Sequence, residues 1–320
     1  MHHRLITTGA TLTPLHICSI LVQCYYFATA LFTGHCTRCN IHHSLPTTEA
    51  AREAALNLRL RMIESGRIDV DELKLQFNHN NDDEHDSFHL DPSLAIERLY
   101  ERRGKMFGVL ICQVPDHNNG LYPDSSNLTS GDTVILKAYA GKLGGSWNLP
   151  GWAPIIGQVP ESLPVFCRLR DEVTEIFGRI DATNSNTTLV EKGSIQQQQQ
   201  QDAIAKVKHL TKKRARLATL ALDEVRQHQL VTNFRGETRP LTAIYSRGPT
   251  KLPGGTGDCA APKLLAEAAR LGLRPTGIAE IFVGTTGGMS TGKGDGMFYD
   301  ACEGRCEQIA GFMLCGLDGV

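Results

Sequence analysis

Acidic residues are missing from the first forty-eight positions of this 320-residue chain; Glu49 is the first. Aromatic residues are scarce at 6%, while glycine is plentiful at 31, so long loops around a modest core are expected. The net charge of −1 gives the chain as a whole no electrostatic signature of nucleic-acid binding. Ten cysteines, unevenly spaced, are too sparse for a disulfide scaffold and fit a reducing, intracellular compartment. What remains is the composition of a globular protein, 41% hydrophobic and 21% charged, long enough for one large domain or two small ones.

The acid-free beginning is rich in Thr and His and carries an apolar run from Ile17 to Phe32. Residues 1–47 resemble a targeting segment, which would send the protein to an organelle; a mispredicted start is the alternative. Pro14, His16 and Gln23 weaken the run as a membrane span. Within it, His35, Cys36, Cys39, His42 and His43 have tight metal-ligand spacing, Cys-x2-Cys followed by His-His. No strand or helix signal surrounds them to hold a tetrahedral site, so the spacing stands alone.

Residues 48–90 read as a helical segment from Thr48, a second short helix from Ile68, and a polar linker. An α/β domain is expected over 91–320. Asp91, Pro92 and Gly104 bracket a helix. KMFGVLICQV (from Lys105) and TVILKAYAG (from Thr133) read as a strand pair, with Trp152 packed over the sheet edge. RLRDEVTEIFGRIDA (from Arg168) and the long stretch from Ala203 to Leu230 have helical periodicity. The Gln-rich segment near 182–202 between them reads as disordered. The basic run Lys212, Lys213, Arg214 and Arg216 reads as a solvated helix face rather than an RNA contact. Cys112 and Cys167 read as small core residues.

The most specific feature lies further on. Cys259 opens one helix, IAEIFVG forms a strand, and Cys302 and Cys306 fall in the opening turns of another helix. A helix start lowers a thiol's pKa, because its unpaired N–H groups and macrodipole favour the thiolate. Three thiolates there would make an all-cysteine zinc site with one position left for water. GGMSTGKG (from Gly287) nearly spells a phosphate loop, but Gly294 stands where Ser or Thr would hold Mg²⁺, so it reads as a plain loop.

This layout resembles that of the zinc nucleobase deaminases, whose pattern is His or Cys, any residue, Glu at one helix start, then a strand, then Pro-Cys-x2-Cys. The resemblance implies a mixed sheet with helices on its faces, in deaminase-like order, with Cys259, Cys302 and Cys306 as zinc ligands. Two departures stand out. Ala261 occupies the place of the proton-transferring Glu, and the last pair is separated by three residues. Asp258 is the substitute acid/base group on offer, although it also reads as a helix N-cap.

Four blocks together resemble the accessory domain that precedes the catalytic domain in some RluA-type RNA pseudouridine synthases. They are RRGKMFGVLIC (from Arg102), LKAYAGKLGGSWNLPGWAPII (from Leu136), LPGGTGDCAAPKLLAEAARLGLRPTGIAEIFVG (from Leu252) and FYDACEGRCEQIAGFMLCGL (from Phe298). This resemblance implies an association with RNA or an RNA-modifying enzyme, without the synthase domain. Three expectations follow: a zinc-binding, deaminase-like module; a non-catalytic structural or RNA-contacting module; or an enzyme with Cys259 as nucleophile. The third needs a histidine base, and none follows His228, leaving His117 or His209 upstream.

Overall fold

The computed structural model describes residues 31–69, 91–116, 129–187, 194–287 and 292–317. Strands β1 (Leu31–Cys36) and β2 (Ile41–Pro46) form a hairpin; β3 (Lys105–Gln113), β4 (Thr133–Tyr139) and β7 (Arg274–Val283) form a sheet of order β4-β3-β7; β5 (Leu230–Thr232) and β6 (Thr238–Pro240) form a small ribbon. The helices are α1 (Glu49–Ser65), α2 (Glu97–Glu101), α3 (Pro164–Thr187), α4 (Ser194–Gln227), α5 (Leu241–Ile244), α6 (Ala260–Arg270) and α7 (Glu307–Met313).

Helix and sheet are combined as expected, but the sheet is not mixed. Every described strand pair is antiparallel. The cause is the central position of β3, the first strand of its hairpin. β4 folds back on one side of it, and β7 arrives on the other side running the same way as β4.

The pleat sorts this sheet's side chains between two cores. Leu110 and Cys112 of β3 and Ile278 of β7 face α6, where they meet Ala260, Ala261, Leu264, Leu265 and Ala268. Phe107, Val109, Ile111, Ala279 and Ile281 face the other way, onto Ala51, Ala55 and Met62 of α1. Each large buried aliphatic side chain contributes about 1.5–3 kcal/mol. Helix α1 starts at Thr48, whose hydroxyl accepts the Ala51 N–H at 3.2 Å, and stops at Gly66, held at φ 68°. Both ends are those that the sequence predicts. Trp152 closes the edge beside β4, with ring centroids 5.7 Å from Phe107 and 5.5 Å from Tyr139.

Three boundaries move. Residues 31–46, assigned above to a targeting segment, form the β1–β2 hairpin, and its Phe32 and Leu45 belong to the α6 core. The boundary drawn at residue 91 also falls inside one fold, since α1 covers the second face of the sheet. The Gln-rich stretch is helical where it is described: α3 continues to Thr187 and α4 begins at Ser194. Glutamine is a fair helix former, and Ile176, Ile180 and Leu210 give the two helices a core of their own. Here α4 turns part of its basic run back onto α3. Lys213 pairs with Glu172 at 2.7 Å, and Arg214 lies 5.8 Å from the Phe177 ring centroid. The helix expected from Asp91 is instead a short 3-10 turn, Pro92–Leu94, followed by α2; Asp91 caps it by accepting the Ser93 N–H. Residues 1–30, the linker after Ile68 except for Asp69, and His117 lie outside the described residues.

Candidate metal centre

Helix α6 is laid directly on β3 because Gly108 has no side chain. A Cβ there would sit 2.9 Å from both Ala260 Cβ and Leu264 Cδ1. Cys259 is the N-cap of this helix, in extended conformation at φ −68° and ψ 163°. Asp258, expected as the cap, is one residue further out. Its carbonyl accepts the Gly141 N–H, and its carboxyl is raised by burial, with Lys263 and Arg305 pulling against that rise.

After β7 the chain returns along the open edge of that strand. Phe282 and Gly296–Met297 exchange backbone hydrogen bonds, and the Tyr299 N–H donates to the Glu280 carbonyl at 3.0 Å. This short return delivers Cys302 to the start of α6. Cys302 lies in the turn before α7, not within a helix as the spacing implied, and Cys306 is the N-cap of α7.

The three sulfurs converge. Cys259 and Cys302 are 4.0 Å apart, Cys302 and Cys306 3.5 Å, and all three lie within 4.8 Å of one another. Tetrahedral zinc with Zn–S near 2.3 Å sets its sulfurs about 3.75 Å apart, so the observed distances bracket a metal-ready arrangement. Cys306 is buried, Cys259 half-buried and Cys302 exposed. The trio is therefore walled on the protein side and open on the Cys302 side.

The charges agree with this geometry. Cys302 is pulled well below the usual thiol range by hydrogen bonds from Cys259 and Cys306, helped by the Cys306 N–H at 3.5 Å. Cys259 is pushed up by the same bond to Cys302, and Cys306 is pushed up by both neighbours and by burial. Without a cation, the cluster supports one thiolate and two thiols. A divalent ion would let all three ionise.

Glu280 is the residue that the sequence reading missed. Alternation along β7 puts it on the same face as Ile278, towards α6. Its Oε1 accepts the N–H of Ala261 at 3.1 Å. The carboxyl thus meets the backbone of the very residue at which the deaminase pattern wants Glu. Burial, opposed by the Ala261 bond, pushes it up to about 7. It lines a recess with room for about one water molecule, shared with Ala261, Tyr299 and Asp300. Lys293, 3.6 Å over the Tyr299 ring, is drawn electrostatically to Glu280, Cys302 and Cys259. The signal was present in the sequence: one acidic residue inside the apolar strand IAEIFV.

Lys263 supports the site from behind. It is fully buried, and its ammonium donates to the carbonyls of Tyr139 and Gly141 at 3.0 Å each. That ties α6 to the end of β4. Burial lowers its pKa to about 8.

No described histidine joins the Cys259 cluster. His209 is exposed on α4. Because its thiol is raised, Cys259 lacks the character of an activated nucleophile. A second cluster does exist, Cys36, Cys39, His43 and Cys315. Of the five N-terminal residues with metal spacing, three enter it. His35 instead bonds Asn40, and His42 lies 3.1 Å from the Thr33 hydroxyl. Cys112 is buried as expected, whereas Cys167 is half-exposed, its sulfur donating to the Glu161 carbonyl.

Fold and site together define a protein of helices and small antiparallel sheets with two cysteine-based candidate metal centres among the described residues. No protein-family model, curated protein or solved structure matches the chain. Among the described residues, no helix is long and apolar enough to cross a membrane.

The close approach at Gly108 yields one expected outcome. Gly108→Val should push α6 off β3, cost about 1–3 kcal/mol of stability, and weaken metal binding at Cys259. Denaturant unfolding and zinc titration would measure the two effects.

Proposed function

We propose that Cys259, Cys302 and Cys306 hold a zinc ion with one open position, and that Glu280 is the proton carrier of a hydrolytic deamination. The observation that carries this reading is the placement of the Glu280 carboxylate at the N-terminal turn of α6. A strand residue there stands in for the helix residue absent at Ala261. Bound zinc would supply hydroxide at neutral pH.

The chemistry balances as a hydrolysis. Water adds to the amino-bearing carbon of the base, and Glu280 accepts a proton from that water. It passes that proton to the ring nitrogen, then carries the hydroxyl proton of the adduct to the amino nitrogen, which leaves as ammonia while the carbon becomes a carbonyl. Lys293 and the N–H of Ala261 stabilise the Glu280 carboxylate before the first transfer and after the last. Asp258 is a weaker candidate, because Lys263 and Arg305 are its charged neighbours. A base within RNA is the substrate class implied by the resemblance to the synthase accessory domain.

A second reading has its own support. The recess beside Glu280 has room for about one water molecule and not for a nucleobase. On that reading the zinc ties the start of α6 to the start of α7 in a structural or RNA-contacting module.

Metal analysis of the purified chain tests what both readings share: zinc that Cys259→Ser removes. Absence of zinc from that cluster ends both. Assays on cytidine, adenosine and short RNAs then divide them. Ammonia release supports the enzyme, and none from any of the three supports the scaffold.

A further inference from the structure

We propose that Cys36, Cys39, His43 and Cys315 form a second zinc site, closed and structural, that staples the β1–β2 hairpin onto the end of α7. This inference does not rest on the reading of the first cluster as catalytic.

The donor set is complete in a way the first is not. Four side chains of the right chemistry, Cys₃His, bring their ligand atoms within 4.8 Å of one another. The Cys39 sulfur lies 3.0 Å from His43 Nε2 and 3.7 Å from the Cys315 sulfur. Tetrahedral zinc asks for about 3.5–3.8 Å between such atoms, so the Cys39–Cys315 pair already fits and the Cys39–His43 pair would open by about half an ångström. Cys36, His43 and Cys315 are buried and Cys39 half-buried, and four side chains would fill all four tetrahedral positions. A closed four-ligand site is the structural type.

The hairpin is built as a ligand turn. β1 ends at Cys36, and the chain reverses through Asn40 at φ 57°, whose N–H donates to the Cys36 carbonyl at 2.8 Å. Alternation on β2 exposes His42 and buries His43, which chooses between the two adjacent histidines. An isolated two-stranded hairpin is marginal in water. Of this one's described side chains, Phe32 and Leu45 are the two that join the core. Backbone contact adds the rest: a Cβ on Gly34 would fall 2.5 Å from the Gly311 nitrogen, so β1 lies directly on α7. Arg235 places a positive charge on the Cys315 sulfur, where bound zinc and three thiolates would leave a net negative charge.

The two clusters then share α7. Cys306 caps its start, and Cys315 lies just beyond its end, about 13 Å along at helical rise.

The test uses the full chain and zinc alone, followed by elemental analysis after desalting. Native protein is expected to hold two zinc ions, His43→Ala one, and His43→Cys two, because a fourth thiolate can replace the imidazole. Cys259→Ser is expected to lose the other ion only. Trypsin is expected to cut after Arg38 only once zinc has been stripped. A native chain with one zinc, removed by Cys259→Ser and untouched by His43→Ala, overturns the second site and leaves the first. A Cys39–Cys315 disulfide in the native protein also overturns it. If His43→Ala does not fold, the decision falls to Cys259→Ser and to His43→Cys: one ion retained in Cys259→Ser sustains the site, and none retained there removes it.

Discussion

Glu280→Gln protein is expected to bind as much zinc as the native chain and to turn over its substrate about 10²–10⁴-fold more slowly, the usual contribution of a positioned proton carrier. Glutamine preserves the shape of the side chain, and its amide oxygen can still accept the Ala261 N–H. What it cannot do is shuttle a proton. A sharper experiment moves the carboxylate back to the helix. Glu280→Ala combined with Ala261→Glu frees the recess and restores the acid two residues after Cys259, so partial recovery over Glu280→Ala is expected. Equal activity of Glu280→Gln and native protein would remove Glu280 from the chemistry. Loss of zinc together with activity would give it a structural role instead.

Gly311→Ala is expected to be among the most damaging single-methyl changes in the protein. The new Cβ would lie 2.2 Å from the His35 carbonyl carbon and 2.3 Å from its oxygen, and both are backbone atoms that no rotamer change can move. β1 must retreat by an ångström or more, carrying Cys36 out of its cluster. Overpacking alone costs about 1–3 kcal/mol. For a chain of this size that lowers Tm by about 2–5 °C, with one zinc lost as well. Gly178→Ala is the opposite control. It lies in α3 with nothing within 4 Å of its Cβ position, so gaining a methyl should stabilise the helix by about 0.5–1 kcal/mol. If thermal melts gave the two variants the same sign, the close-packing account of β1 on α7 would fail.

How much was legible follows from how local each signal was. The strands of the central sheet announce themselves as short apolar runs and the start of α1 as Thr48, whereas the cap of α6 falls at Cys259, one residue after the Asp258 that the sequence offers. The convergence of Cys259, Cys302 and Cys306 could be inferred because one strand joins their helices. Glu280 was hidden because its role depends on pleat direction. The pattern of the deaminases pointed to position 261 instead, and the carboxylate reaches that point from nineteen residues away in sequence. The N-terminal ligands were visible as Cys-x2-Cys, but their partner Cys315 is 276 residues from Cys39. Without it the triad looks incomplete, and the hairpin carries too few apolar residues to read as strands. The glutamine run is helical from Ser194 where it is described, because helix propensity and the Ile176–Leu210 core act there and low complexity alone does not decide.

The docking of the hairpin on α7 has a consequence for synthesis. Residues 31–46 leave the ribosome early, yet the surface that receives them exists only after Leu314 and Cys315 have been translated. Through most of elongation two cysteines and a histidine wait exposed on a nascent strand pair with an unsatisfied edge. Contacts so distant in sequence form slowly, which makes this segment the place where a chaperone or a metal-delivery factor has the longest time to act.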